Sequence, residues 1–293
     1  MNILILGYGE MGHAMEHLLR SHHQIFIWDP YYSGDLADFN LHDTAARADA
    51  IVFCTPTAPL FELASDIGPH LGSGCVCLSM AKALDAEGRT APQALQQGLP
   101  SSTGLTMLYG PMIAEEILAD RPSYATVSAT GEGALRTGMD LFHDTRLDLA
   151  PWPDMHGAAL CAVLKNVYAM LFGMADELKL GDNVRGFLAV ATLKEMADIM
   201  TSMGGESSTP YTLAGLGDLM TTATSEDSHH HELGRMAARG EQDLSGEGVN
   251  TLLTLEQKAI LDFSQWPFLD LTRRIILHGE TPVSALADSL KLA

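Results

Sequence analysis

The chain has 293 residues, of which 46% are hydrophobic, and its formal net charge is −20 at pH 7. This length permits two domains of ordinary size, and the hydrophobic content excludes a disordered chain. The negative charge argues against a nucleic-acid partner, because neutralising a phosphate backbone requires clustered lysine and arginine. A small anionic substrate would need local cations to overcome the overall field.

The first thirty residues predict a βαβ unit. Asn2–Leu6 (NILIL) is a short apolar run of the kind that a buried parallel strand needs. GYGEMG follows at once, and the next ten residues, HAMEHLLRSH, have helical periodicity. The apolar run QIFIW then leads to Asp29 and a proline. Strand, glycine turn, helix and strand in this order form one βαβ unit.

Three glycines in this unit predict a dinucleotide site. Gly7, Gly9 and Gly12 complete G-x-G-x-x-G between a strand and a helix, which is the context that the motif requires. They allow a tight turn, close approach of the pyrophosphate and close helix packing, respectively. Asp29 stands where a carboxylate would accept hydrogen bonds from the adenosine ribose and repel a 2′-phosphate. We therefore predict NAD as the cofactor, with NADP less favoured because other loop residues could still accommodate the phosphate.

Further apolar runs predict the rest of the sheet. Strands are expected at Ala50–Pro56, Cys75–Met80, Gly104–Gly110 and Tyr124–Ala129, with helical segments between some of them. This alternation predicts an α/β fold with a Rossmann-type, doubly wound and mostly parallel sheet. From about Pro151 long helical stretches replace the strands. We predict a dinucleotide-binding domain at residues 1–150 and an all-helical substrate domain at residues 151–293.

The cysteines and the amino terminus indicate a cytoplasmic protein. Cys54, Cys75, Cys77 and Cys161 lie in apolar segments and form no C-x-x-C pair, which favours a reducing compartment. The amino terminus shows no basic region followed by a cleavage site, so we expect no secretion signal. The run of residues 157–174 is the only segment near membrane-spanning length, and its central lysine makes insertion costly. We expect no membrane partner.

Lys165 is the most informative residue in that run. GAALCAVLKNVYAMLFGM is apolar or small except at Lys165, Asn166 and Tyr168. The helical neighbours of the lysine include Cys161 and Ala162, so the run offers no polar face for it. An inward-facing lysine loses hydration and becomes a candidate proton donor or acceptor. The alternative is a side chain whose stem lies along the apolar surface while the ammonium reaches solvent.

Seven segments together carry a family resemblance. The glycine motif, LYGPMIAEEI, AVLKNVYA, LGDN, AGLGDLMTT, SHHHELG and GEGVNT resemble, in matching order over nearly the whole chain, the bacterial-type NAD(P)-dependent glycerol-3-phosphate dehydrogenases. The resemblance implies a hydride transfer that interconverts sn-glycerol 3-phosphate and dihydroxyacetone phosphate. A helical second domain of this kind also leads us to expect a homodimer.

The resemblance implies a role for several side chains. Lys165 would be the catalytic acid/base, and Lys82 would add positive charge near nicotinamide and substrate unless it is a surface lysine. Asp218 would contact the substrate hydroxyls, or it could simply cap a helix. The substrate would also be bound by Asn166, Gly110, Ser228, His229 and His230. The residues predicted to bind the cofactor are Gly7, Tyr8, Gly9, Glu10, Met11, Gly12, Asp29, Pro56, Lys82, Ala114 and Glu247.

Three of the positions that depart from the family pattern bear on phosphate binding. Aligned on Ser228, the chain has His229 where the family carries arginine and His230 where it carries asparagine, and Met112 replaces a serine. Histidine offers fewer hydrogen-bond donors than guanidinium, so phosphate binding is weakened or rebuilt. A different small hydroxy acid or ketone, or a non-catalytic NAD(H)-binding paralogue, therefore remain alternatives. Consecutive helical histidines diverge too far to share one ion, so no metal is predicted.

Overall fold

In the computed structural model, which describes residues 1–32, 34, 39–225 and 228–290, a seven-stranded sheet lies at the centre of the amino-terminal part of the chain. Its order is β2-β1-β3-β4-β5-β6-β7, and every neighbouring pair is parallel except β5 and β6. The strands are β1 (Asn2–Leu6), β2 (Gln24–Trp28), β3 (Ala50–Phe53), β4 (Val76–Ser79), β5 (Gly104–Tyr109), β6 (Ser123–Ala129) and β7 (Leu147–Pro151).

Helices accompany this sheet, and apolar strands form its core. The helices are α1 (Glu10–Leu19), α2 (Leu41–Ala45), α3 (Leu60–Ile67), α4 (Ala91–Gly98), α5 (Ala114–Leu118) and α6 (Glu132–Leu141). All residues of β3 and β4 are buried, as expected for parallel strands covered on both faces. The predicted α/β fold with a mostly parallel, Rossmann-type sheet is confirmed.

The carboxy-terminal part of the chain is helical. It contains α7 (Met155–Glu177), α8 (Asp182–Ser202), α9 (Asp218–Thr224), α10 (His229–Ala238), α11 (Glu247–Gln257), α12 (Pro267–His278) and α13 (Pro282–Ser289). The chain forms two compact units. The first comprises Met1–Asp85 and Arg89–Ala159, and the second comprises Ala86–Gly88 and the chain from Leu160 onward.

Helix α7 is the core helix of the second unit. Within the described part of the chain it is the one helix long and apolar enough to cross a membrane, and its most apolar 18-residue window is completely buried in the protein. Its backbone lies against α10, because a Cβ on Gly173 would stand 1.9 Å from the carbonyl oxygen of His231. A Cβ on Gly234 would stand 2.0 Å from the carbonyl oxygen of Met170. Glycine at both positions therefore permits backbone contact between the two helices.

A buried carboxylate joins α8 to the start of α12. Glu195 accepts hydrogen bonds from the backbone amides of Phe268 (2.9 Å) and Leu269 (2.7 Å), two of the amides that have no partner within the helix. Its Oε1 also accepts from the hydroxyl of Tyr168 on α7 at 2.8 Å. Burial raises the pKa of Glu195 above its ordinary value, although these three donors oppose the shift. One side chain thus connects three helices of the second unit.

Candidate active site

The glycine loop between β1 and α1 leaves open space beside its second glycine. Gly7 adopts a φ of +95°, a conformation that favours glycine, and a Cβ on Gly12 would stand 2.3 Å from the carbonyl oxygen of Gly7. A Cβ on Gly9 would meet no described protein atom within 4 Å, so the space beside it is open. The helix that begins at Glu10 presents its first amides here. These residues fit the phosphates of NAD(P).

Asp29 organises the loops around this site. Its Oδ2 accepts a hydrogen bond from the backbone amide of Tyr8 at 2.6 Å, and its Oδ1 accepts from the amides of Tyr31 (2.7 Å) and Tyr32 (3.1 Å). The ring of Tyr32 meets that of Tyr8 edge-on, with centroids 4.9 Å apart. Burial and the carboxylate of Glu16, which the Tyr8 hydroxyl contacts, raise the pKa of Tyr8 to about 12. Asp29 therefore connects the glycine turn to the segment that follows β2.

Lys82 and Gly110 come together at the ends of β4 and β5. The ammonium of Lys82 donates to the carbonyl oxygen of Gly110 at 3.3 Å, and the lysine is half-buried. A Cβ on Gly110 would stand 2.5 Å from the carbonyl oxygen of Tyr124, which explains the glycine. Met112 is buried in the apolar core beneath this turn, so it offers neither a donor nor an exposed surface.

Two further predicted cofactor residues lie near the sheet but differ in exposure. Ala114 is the first residue of α5 and is buried, whereas Pro56, after β3, is exposed. The carbonyl oxygen of Cys54, two residues before that proline, lies 2.9 Å from the position of a Cβ on Gly7. The carboxyl end of β3 therefore borders the glycine loop.

Lys165 is buried in the second unit and is held by two oxygen atoms. Only 6% of the residue is exposed, which confirms the prediction that it faces inward. Its Nζ donates to Oγ1 of Thr222 at 2.6 Å and lies 3.1 Å from Oδ1 of Asp218, which is 3% exposed. The Thr222 hydroxyl in turn donates to the backbone carbonyl of Asp218 at 2.8 Å. The ammonium and the carboxylate thus form a buried ion pair.

A short π-helical turn leads into the aspartate. Residues Leu213–Gly217 form this turn, and α9 begins directly at Asp218. A Cβ on Gly215 would stand 2.2 Å from the carbonyl oxygen of Pro210, so only glycine fits the close packing of the turn. Such turns are frequent at functional sites. Here the turn places the first residue of α9 against Lys165 on α7.

Asn166, Glu247 and His230 lie close together, and Asn166 directly follows Lys165 on α7. The Nδ2 of Asn166 lies 3.5 Å from Oε2 of Glu247, at the start of α11. The ring Nδ1 of His230 and the backbone oxygen of Asn166 both lie within 3.3 Å of the position that a Cβ on Gly248 would occupy. The buried Oδ1 of Asn166 accepts no hydrogen bond from the described residues. A buried acceptor of this kind is unusual and suits a ligand donor.

The first turn of α10 contains the other predicted substrate residues. Ser228 caps the helix, because its hydroxyl accepts from the backbone amide of His231 at 3.3 Å. His229 is exposed, and its Nε2 lies 3.0 Å from the carbonyl oxygen of Ser245. Both side chains therefore have partners within the second unit.

His231, which sequence reasoning did not select, is the buried histidine of the three. Its Nε2 lies 2.8 Å from Oδ2 of Asp176 on α7, and the same carboxylate accepts two hydrogen bonds of 2.7 Å from Arg185. Desolvation of Asp176 is outweighed by the hydrogen bonds from Arg185 and His231, so the pKa of this carboxyl is lowered. A triad in which only the histidine is fully buried thus lies at the junction of α7, α8 and α10.

The sequence also contained a weak signal for Thr222. It follows Asp218 by four residues, so both side chains lie on one face of α9 once that helix is predicted. No comparable local signal pointed to Asp176, because its partners lie 9 and 55 residues away in the chain.

Comparison with known proteins gives one consistent result. Residues 36–134 match the profile of the NAD-dependent glycerol-3-phosphate dehydrogenase N-terminus, and residues 154–287 match that of the C-terminus. The chain is 32% identical over 298 residues to the NAD(P)+ glycerol-3-phosphate dehydrogenase of Gloeobacter violaceus, covering 98% of this chain and 96% of that protein. The enzyme of the same name from Acaryochloris marina is 30% identical over 294 residues, covering 97% and 93%.

A solved structure agrees at the level of the fold. The glycerol-3-phosphate dehydrogenase of Coxiella burnetii superposes with a TM-score of 0.86 at 22% identity, and the match covers 99% of both chains. The protein is therefore an oxidoreductase that belongs to the NAD(P)+-dependent glycerol-3-phosphate dehydrogenase family.

Proposed function

We propose that this protein interconverts sn-glycerol 3-phosphate and dihydroxyacetone phosphate, with Lys165 as the acid/base. The observation that carries the proposal is the buried contact of Lys165 with Asp218 and Thr222. A buried ion pair adds little net stability compared with apolar residues of similar volume, so its presence favours a chemical role. The similarity to proteins named for this reaction supports the choice of substrate.

Lys165, Asp218 and Thr222 have different roles in the proposed reaction. Bound NADH would supply the hydride to the ketone carbon. Lys165 donates a hydrogen bond to the ketone oxygen, stabilises the oxyanion as it forms and then transfers the proton to it. Asp218 keeps the ammonium charged before the transfer, and it accepts a hydrogen bond from a substrate hydroxyl. Thr222 fixes the direction of Nζ through its own bond to the backbone of α9.

Other residues bind the substrate and the cofactor. The unsatisfied Oδ1 of Asn166 accepts a substrate hydroxyl, and Lys82 supplies positive charge from the end of β4. Gly110, Ser228, His229 and His230 complete the substrate contacts. The glycine loop with Asp29, Pro56, Ala114 and Glu247 holds the dinucleotide. We assign the dinucleotide-binding domain to residues 1–150 and the helical substrate and catalytic domain to residues 151–293, with a few contacts from each domain to the other ligand.

A second substrate class is an unphosphorylated hydroxy acid or ketone. The observation that favours it is that neither His229 nor Met112 replaces the donors that the family residues at these positions would supply. His229 directs a ring nitrogen at the carbonyl oxygen of Ser245, and Met112 is buried without any donor. Neither provides the fixed set of donors with which a guanidinium binds phosphate.

The test is to mix purified protein with NADH and dihydroxyacetone phosphate and to follow nicotinamide absorbance. Lys165→Ala should lower kcat by about 10²- to 10⁴-fold, the usual contribution of a positioned acid/base. The matched control is Lys194→Ala, because that lysine pairs with Asp198 on the exposed surface of α8 at 2.6 Å. Oxidation of NADH only with an unphosphorylated ketone would establish the second substrate class. A nearly normal kcat in Lys165→Ala would contradict the acid/base role of Lys165.

We also propose that NADH is preferred over NADPH, since the carboxylate of Asp29 repels a 2′-phosphate. A higher kcat/KM with NADPH would refute this role for Asp29.

We further propose a cytoplasmic homodimer. Light scattering coupled to gel filtration measures the mass of the particle in solution directly. A monomer at micromolar concentration would exclude the dimer.

A further inference from the structure

We propose that His231 is a positioning residue for the substrate side of this site, holding the first turn of α10 on α7 through Asp176 so that His230 stays beside Asn166. The inference rests on the proposed function for its kinetic consequences. It concerns a side chain that has no part in the chemistry and that lies on the opposite side of the helix turn from His229.

The backbones of α7 and α10 are in direct contact. Backbones of α7 and α10 approach so closely at Gly173 and Gly234 that a methyl group at either position would overlap a carbonyl oxygen. Glycine at these two points leaves no side chain there to oppose rotation or sliding of the helices. A polar contact with defined geometry then helps to set the register.

The contact between His231 and Asp176 has the geometry to set this register. His231 is 7% exposed, and its Nε2 reaches Asp176 at 2.8 Å. Arg185 holds the same carboxylate with two hydrogen bonds, so Asp176 cannot rotate away from the histidine. The amide of His231 also donates to the cap residue Ser228. His231 thus connects the cap of α10 with α7 and α8.

The register of α10 on α7 determines where the ring of His230 lies. His230 precedes His231 by one residue, and its ring lies by Gly248 next to the backbone of Asn166. A rotation or slide of α10 that followed loss of the Asp176 contact would move this ring away from Asn166. Lys165 would not move, because its partners Asp218 and Thr222 belong to α9. The loss should therefore appear in KM rather than in kcat.

The experiment compares His231→Leu with His231→Gln. Glutamine places an amide nitrogen near the position of Nε2 and can still donate to Asp176, whereas leucine cannot. We expect His231→Leu to raise KM for dihydroxyacetone phosphate about 10-fold, within the range of couplings between contacting residues, with kcat changed less than about 2-fold. His231→Gln should restore KM to within about 2-fold of the unsubstituted protein. The matched control is His278→Leu, which removes an exposed histidine that pairs with Glu256 at 2.9 Å.

A double-mutant cycle separates positioning from general destabilisation. If His231 acts through His230, adding His231→Leu to a His230→Ala protein should change KM less than about 2-fold. An undiminished increase in that background, or a failure of glutamine to rescue, would overturn the inference. A fall in kcat equal to the rise in KM would overturn it as well.

Ring spectra of the histidines make the test independent of turnover. In long-range proton–nitrogen NMR spectra, the signals of His230, assigned by their loss in His230→Ala, should shift in His231→Leu and keep their positions in His231→Gln and His278→Leu. Unshifted signals in His231→Leu would overturn the inference. If the unsubstituted protein oxidises no NADH with dihydroxyacetone phosphate, the proposed function fails, and these spectra alone decide the positioning role.

Discussion

Neutralising Asp218 should destabilise the protein far more than neutralising both members of its ion pair. The substitution Asp218→Asn leaves the Lys165 ammonium buried without its carboxylate. At the 3.1 Å separation of Nζ and Oδ1, the Coulomb attraction is about 5 kcal/mol for an effective dielectric constant of about 20. Breaking a buried pair by removing one partner costs about 3 to 5 kcal/mol, because the remaining charge stays desolvated.

The double variant Lys165→Met/Asp218→Asn removes both charges and both desolvation penalties. Its free energy of unfolding should lie within about 1 kcal/mol of the unsubstituted protein, since replacing a buried pair by neutral groups is often without cost. Its kcat should still fall by about 10²- to 10⁴-fold, because the acid/base is gone. Stability and catalysis would then separate in one protein.

Urea unfolding followed by tryptophan fluorescence measures these free energies. The matched control is Asp198→Asn, which breaks the exposed Lys194–Asp198 pair and should cost less than about 1 kcal/mol. The reasoning is refuted if Asp218→Asn costs no more than this control. It is also refuted if the double variant is as unstable as the sum of its two single variants, because the two charges would then not interact.

Two further predictions concern the glycine loop and Glu195. Gly9→Ala should weaken NADH binding without lowering the melting temperature, because its Cβ enters open space. Gly12→Ala should lower both the affinity for NADH and the melting temperature, because its Cβ clashes with Gly7. Equal melting temperatures of the two variants would contradict this. Burial raises the pKa of Glu195, so its contribution to stability is present below pH 4.5 and is lost as pH rises through the raised value. The urea midpoint of Glu195→Gln minus that of the unsubstituted protein should therefore increase with pH. A difference that does not change with pH would contradict the raised pKa of Glu195.

The sheet could be predicted because buried parallel strands are apolar at every position. Six of the seven strands stood out as short apolar runs, and the loop glycines marked the first crossover. Strand β7 was not predicted, because the edge segment LDLAP is mostly exposed and lacks such a run. The antiparallel pairing of β6 with β5 also has no local signal, since strand direction depends on the path of the connection.

The candidate site was predictable where a local pattern or the family resemblance indicates a residue. Lys165 stood out because its helix has no polar face, and its burial is confirmed. The partners of a buried group depend on tertiary structure, which is why His231 with Asp176 was missed. Asp218 could be selected through a family resemblance, and the distance to Lys165 then supplied the physical reason.

The apolar character of α7 has a consequence for the denatured chain. Heating exposes a helix of 23 residues that is otherwise buried and apolar enough to resemble a membrane span. Such a segment promotes association between unfolded molecules faster than refolding can rebury it. Thermal inactivation should then be governed by the rate of unfolding, so that the apparent transition temperature rises with the scan rate.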